Sequence, residues 1–127
     1  MEKRVINAPD APQPVGSYAQ AVEIGGGART LYISGQIPQT ADGKVPEGFR
    51  EQCRLAWANL AAQLRAAGMS LDDLVKVTTF LSDRRFGLEN RAIRQEVLGD
   101  RRPALTVVIT GIFDAAWLLE IEAVAVA

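Results

Sequence analysis

Two carboxylates, Glu120 and Glu122, stand in an otherwise apolar run near the C-terminus, Trp117 to Val126 (WLLEIEAVAV). Strand side chains alternate between faces. Leu119, Ile121, Ala123 and Ala125 therefore share one side, and both glutamates share the other with Leu118, Val124 and Val126. A carboxylate buried without a partner is costly, so this pair must reach water, face a pocket or line a contact between subunits. At the rim of a pocket, a carboxylate can position a water or take its proton. The remaining chemical inventory is short. The chain has no histidine and a single cysteine, Cys53. That excludes an intramolecular disulfide, a Cys/His zinc site and every histidine-dependent nucleophile pair. Proton chemistry falls to Asp, Glu, Tyr, Lys or a held water.

Other polar groups sit where backbone patterns change. Tyr18 and Gln20 follow the proline-rich segment Ala8 to Gly16, which cannot be helix interior and reads as a rigid extended arm. Ser34-Gly35 closes the strand pattern Thr30 to Ser34, and a glycine at a strand end lets something approach the backbone closely. Asn90 falls among Phe86, Ile93 and Val97 on the inner side of a helix, so it needs a defined hydrogen-bond partner. The face formed by Leu105, Val107 and Ile109 is wholly apolar. Cys53 lies on a buried helical stripe and reads as packing rather than as a nucleophile.

The elements that must position these groups follow from periodicity. Phe49, Cys53, Trp57, Leu60 and Leu64 recur at helical spacing, predicting a helix over Phe49 to Ala67 with Gly68 just beyond it. Phe86 to Leu98 predicts a second helix, stopped by Gly99. Strands are expected at Lys3 to Ile6, Ala19 to Ile24, Thr30 to Ser34, Val75 to Leu81, Arg101 to Ile109 and Trp117 to Val126, with a capped turn at Ser70 to Asp73. Gly25-Gly26-Gly27 predicts a hairpin joining the second and third strands, and Ile112 to Ala116 one joining the last two. The order β-β-β-α-β-α-β-β points to an α+β fold, with two helices on one face of a mixed sheet. Apolar residues assigned to the other face, Val107 and Val124 among them, call for covering by further copies of the chain.

Composition sets the bounds. With 127 residues, 48% of them hydrophobic, the chain suits one domain spanning 1–127. A net charge of −1 at pH 7 argues against a nucleic-acid partner held by a general positive field. No apolar run approaches the roughly 18 residues of a membrane span, and MEKRVINAPDAP lacks the apolar core of a secretory signal. The expectation is a cytoplasmic protein with no membrane partner.

At this point the chain resembles the Rid family, also called YjgF or reactive intermediate deaminases and described as endoribonuclease L-PSP-like. The resemblance rests on APQPVGSYAQAV (Ala11 to Val22), SGQIP (Ser34 to Pro38), AAGMSLDDLVKVTTFLSD (Ala66 to Asp83), the Asn90 helix, RPA (Arg102 to Ala104) and LEIEAVAV (Leu119 to Val126). Each piece is weak alone; together, in order, they are specific. The resemblance implies a chorismate-mutase-like fold, a homotrimer, small-molecule sites in the clefts between subunits, and hydrolysis of enamines and imines to a 2-keto acid and ammonia. It implies no cofactor and no metal. It carries site roles onto Tyr18, Ser34, Gly35, Asn90 and, as the catalytic carboxylate, Glu120.

Two positions depart from the family pattern. Where relatives carry an arginine and a cysteine, this chain has Leu105 and Val107. A guanidinium grips a carboxylate with two parallel charge-assisted bonds, and leucine offers no donor. The residues of this strand suit a neutral or greasier ligand. Two readings follow: a hydrolase of a C=N or enamine bond lacking the usual carboxylate grip, or a trimer that binds a small metabolite without chemistry. Ribonuclease activity finds little support in a slightly acidic chain without histidine or a basic, aromatic stripe.

Overall fold

The apolar stripe of the first helix builds the core. In a computed structural model, which describes residues 2–10, 13–14, 16–26 and 29–127, α1 spans Phe49–Ala66 and buries Phe49, Cys53, Trp57, Leu60 and Leu64. It lies across one face of a four-stranded sheet and meets the alternate residues of the last strand, Leu119, Ile121, Ala123 and Ala125, all of which are buried. The second helix, α2 (Gly87–Leu98), packs beside α1. Phe86 stacks on Phe49 with ring centroids 4.6 Å apart. Both helices thus cover one sheet face, as the pattern implies.

The strands are β1 (Glu2–Ile6), β2 (Ala21–Gly25), β3 (Thr30–Gln36), β4 (Leu74–Leu81), β5 (Ala104–Ile109) and β6 (Leu119–Val126). The sheet order is β3-β6-β4-β5, with β1 and β2 forming a separate antiparallel pair. Both expected hairpins are therefore corrected. β2 pairs with β1, from Glu2 opposite Gly25 to Ile6 opposite Ala21, and β3 pairs with β6. The Gly25-Gly26-Gly27 segment does not close a β2–β3 hairpin; Gly27 lies outside the described residues. β3 joins the main sheet because Ile33 is buried in the core and Leu31 packs against it, whereas β1 and β2 bury no residue fully.

β5 and β6 are not neighbours either, because β4 runs between them. β5 lies parallel to β4 after the α2 crossover, and β6 lies antiparallel to β4 on its other side. Thr110 N–H donates to Leu81 O, and Ser82 N–H donates to Leu118 O. The segment between β5 and β6 thus steps around the end of β4. The physical reason is burial: β6 has a complete apolar row and gains most from a central position flanked on both sides. β5 has no fully buried residue and takes the edge.

Two polar devices fix the connections. Gln52 is buried, yet its amide is fully used: Nε2 donates to Pro46 O and Ala116 O, and Oε1 accepts from Leu118 N–H. It ties α1 to the segment leading into β6. Ser70 and Asp73 form a reciprocal capping box at the turn before β4. Among the described residues no helix is long and apolar enough to cross a membrane.

Candidate functional site

Strand register places the expected site residues on two different faces. Leu105 stands opposite Val77, Val107 opposite Thr79 and Ile109 opposite Leu81. Val77, Thr79 and Leu81 are buried beneath the helices, so the 105/107/109 row belongs to the helix side. Glu120 stands opposite Phe80, Glu122 opposite Thr78 and Val124 opposite Lys76, and these form the bare side. Val107 and Val124 therefore do not share an uncovered face, as strand alternation within each separate strand had suggested. Only the pairing between strands fixes which face is which, and β4 rather than β5 is the neighbour of β6.

On the bare side, β3 bulges. Ile33 pairs with Ala123 and Gln36 with Ile121, so Ser34 and Gly35 together face Glu122 alone. Glu120 lies across this bulge: a Cβ added at Gly35 would stand 1.9 Å from Glu120 Oε2 and 2.7 Å from its Cδ. The absence of a side chain at Gly35 leaves the space that the carboxylate occupies, and any larger residue would make Glu120 move aside. Among the described residues Glu120 has no hydrogen-bond donor or cation as partner. Beside it, Tyr32, Ser34, Lys76, Thr78 and Glu122 border a pocket of about 220 Å³.

On the helix side, at the β5 edge, Tyr18, Gln20, Arg91, Arg94, Leu105 and Val107 surround an open cleft of about 400 Å³. The arm that carries Tyr18 is stitched to the link between α2 and β5. Buried Ser17 donates from Oγ to Gly99 O at 2.8 Å, Ala19 N–H donates to Pro103 O, and Arg102 donates to Gly16 O. Ala19 also bridges Ala104 in parallel. Tyr18 is thereby held over α2, where the Arg94 guanidinium lies 5.9 Å from its ring centroid. Arg94 is 5% exposed and its Nε has no partner. Burial, and then the charge of Arg91, lower its pKa from the ordinary arginine value.

Asn90 is absent from both clefts. It is buried between the helices and accepts a hydrogen bond from the Cys53 thiol, 3.8 Å from its Oδ1. Cys53 has no exposure, and burial pushes its pKa up to about 12, which keeps it a neutral packing group. Arg91 and Arg94 escaped the sequence reading. A signal was present: Arg94 sits four residues after Asn90 and beside Ile93, so one turn of the inner stripe ends in a charge.

The match to known proteins covers this whole arrangement. The family model described as Endoribonuclease L-PSP matches residues 8–127. This chain belongs to the Rid family. It is 37% identical over 125 residues, 97% of each chain, to a RutC family protein of Pyrococcus horikoshii. It is 35% identical over 127 residues to a mouse protein named 2-iminobutanoate/2-iminopropanoate deaminase, covering 98% of this chain and 91% of that one. YyfB, a Rid family protein of unknown function from Yersinia pestis, superposes over the full length of both chains with a TM-score of 0.88 at 28% identity. Rid membership agrees with the two-helix, mixed-sheet α+β fold and with the order in which the motifs occur.

Proposed function

We propose that the chain is a hydrolytic deaminase of a reactive imine or enamine, working at seams between copies of itself in a homotrimer. The observation that carries the reading is Glu120, an unpartnered carboxylate laid over a bare glycine at a bulge, on the one sheet face without helices. Two relatives named 2-iminobutanoate/2-iminopropanoate deaminase, one similar over 98% of this chain and the other over 62%, supply the reaction class.

The division of the site supports assembly. Ser34, Gly35 and Glu120 lie on the bare side, and Tyr18, Leu105 and Val107 lie on the helix side. A single copy cannot gather both sets. A neighbour that covers the bare face can bring its own edge cleft against the first copy's bulge. Exposed apolar surface on that face, including Tyr32 at 79% exposure, favours such covering.

In this site Glu120 takes a proton from a water as its oxygen bonds to the C=N carbon, and the imine nitrogen gains a proton. The resulting carbinolamine collapses: the C–N bond breaks, ammonia leaves, and the hydroxyl proton is given up to form the carbonyl. One water is consumed and one ammonia released, with no redox change. Gly35 lets the carboxylate reach the reacting carbon, and Tyr18 closes the cleft.

The test has two parts. Light scattering at micromolar concentration should give three times 13.7 kDa; a single-copy particle removes the seam. Ammonia release from 2-iminobutanoate or from a neutral imine, each generated in place, should exceed the buffer rate and fall about 100-fold or more in Glu120→Gln. No rate above buffer leaves the second reading, a trimer that binds a metabolite without chemistry, which the loss of two cleft groups at Leu105 and Val107 favours.

A further inference from the structure

The helix-side cleft contains two guanidinium groups and no acid. Arg91 and Arg94 both line it, and no carboxylate of the described residues lies within ion-pair distance of either. The acids on α2 are already engaged elsewhere. Glu89 pairs with Arg50 at 3.0 Å, and Glu96 pairs with Arg54 at 3.2 Å, both across to α1. Two like charges are therefore left together on the one side of α2 that faces the cleft, and one of them is nearly fully buried with an unused N–H. A buried charge without a counter-charge is unfavourable. An anionic ligand between the two groups removes that penalty.

From this we infer that Arg94, seconded by Arg91, grips the carboxylate of a small 2-imino or 2-oxo acid beside Leu105, so that helix α2 supplies the grip that strand β5 lacks. The nature of the acid rests on the deaminase reading; the anion site itself does not. Geometry suits the task. Tyr18 holds one face of the Arg94 guanidinium at 5.9 Å, which leaves the in-plane N–H groups for a ligand. Leu105 and Val107 form the facing apolar wall, suited to a short aliphatic chain. Leucine in place of a longer basic residue keeps the space between that wall and α2 open. The small side chain at 105 and the charged one at 94 then belong to one arrangement. The expectation from strand β5 alone, of a neutral ligand, is replaced by a carboxylate-bearing one.

The probe is 2-oxobutanoate, the hydrolysis product of a 2-imino acid, titrated calorimetrically into the full chain beside its uncharged amide, 2-oxobutanamide. Wild type should bind the acid, more weakly as salt rises. Arg94→Gln should weaken that binding about 10- to 100-fold, and Arg91→Gln by less, with neither changing binding of the amide. Adding Leu105→Arg to Arg94→Gln should restore acid binding, which a purely structural role for Arg94 does not allow. Equal binding of the acid by wild type and Arg94→Gln, or no binding by wild type, overturns the inference. If Arg94→Gln fails to fold by circular dichroism, Arg91→Gln and Arg94→Lys decide in the same way: unchanged acid affinity in both overturns it. Ammonia release separates the two proposals. Acid binding that needs Arg94 without any turnover sinks the deaminase and keeps the grip. Turnover with a KM indifferent to Arg94→Gln sinks the grip and keeps the deaminase.

Discussion

The two sides of strand β6 differ sharply in what they carry. Leu119, Ile121, Ala123 and Ala125 face the helices and are buried in a cluster with α1. Glu120, Glu122 and Val124, interleaved with them, face the bare side beside Lys76, Thr78 and Tyr32. Along β6 the helix side is dry and apolar, with the buried side chains of Gln52 and Asn90 hydrogen-bonded, while the charged groups of that side, Arg91 and Arg94, stand out at the β5 edge. The other side carries charge and an unpartnered carboxylate. Under the proposed function, stability and site chemistry occupy alternate residues of a single strand. Neighbouring substitutions should then have unlike effects.

The sharpest contrast is Leu119→Ala against Glu120→Gln. The first should lower the unfolding free energy by about 2–5 kcal/mol in a urea titration. The second should leave it within about 0.5 kcal/mol while removing turnover. A large stability loss in Glu120→Gln breaks the division. Next comes Gln52→Leu, which strips partners from Pro46 O, Ala116 O and Leu118 N–H. It should cost about 1–3 kcal/mol without altering turnover. Gly35→Ala should act in the opposite sense. Its methyl meets the Glu120 carboxylate, so turnover should fall about tenfold or more in a protein whose circular dichroism is unchanged.

The smallest effect is one of pH. The Cys53 thiol is pushed from 9.0 to about 12 by burial. Its neutral form is favoured in the folded chain, so the stability it contributes is whole below pH 9 and declines as pH climbs from 9 toward 12. Denaturant midpoints at pH 8 and pH 10 should separate more for wild type than for Cys53→Ala. Equal separations would show that the thiol does not feel its burial.

Much of the fold was legible in the residues. The α1 stripe, the α2 boundary at Gly99, the Ser70 cap and the two faces of β6 all follow from short-range periodicity, which sequence displays directly. Strand pairing was not legible. Nothing in Ala21–Gly25 or Ala104–Ile109 states a partner, and the Gly25-Gly26-Gly27 turn and the short Ile112 to Ala116 segment suggested hairpins that burial of Ile33 and of the β6 row overrode. The site divided along the same line. Gly35 was recognisable as a place of close approach, although what approaches it, Glu120, comes from a strand far along the chain. Arg94 was missed because a charge on an inner helical stripe gains meaning only once Tyr18 and Leu105 are known to stand beside it.

The stitches that hold the N-terminal arm have a bearing on evolution in the family. Ser17, Ala19 and Gly16 all bond into the short 99–103 link, which is also the exit from α2 and the start of β5. That link acts as a common anchor for three walls of one recess. Lengthening it by a residue would shift the aromatic lid and the edge strand together while leaving the helix in place. A one-residue insertion in this link should therefore change the shape of the recess without altering any lining side chain.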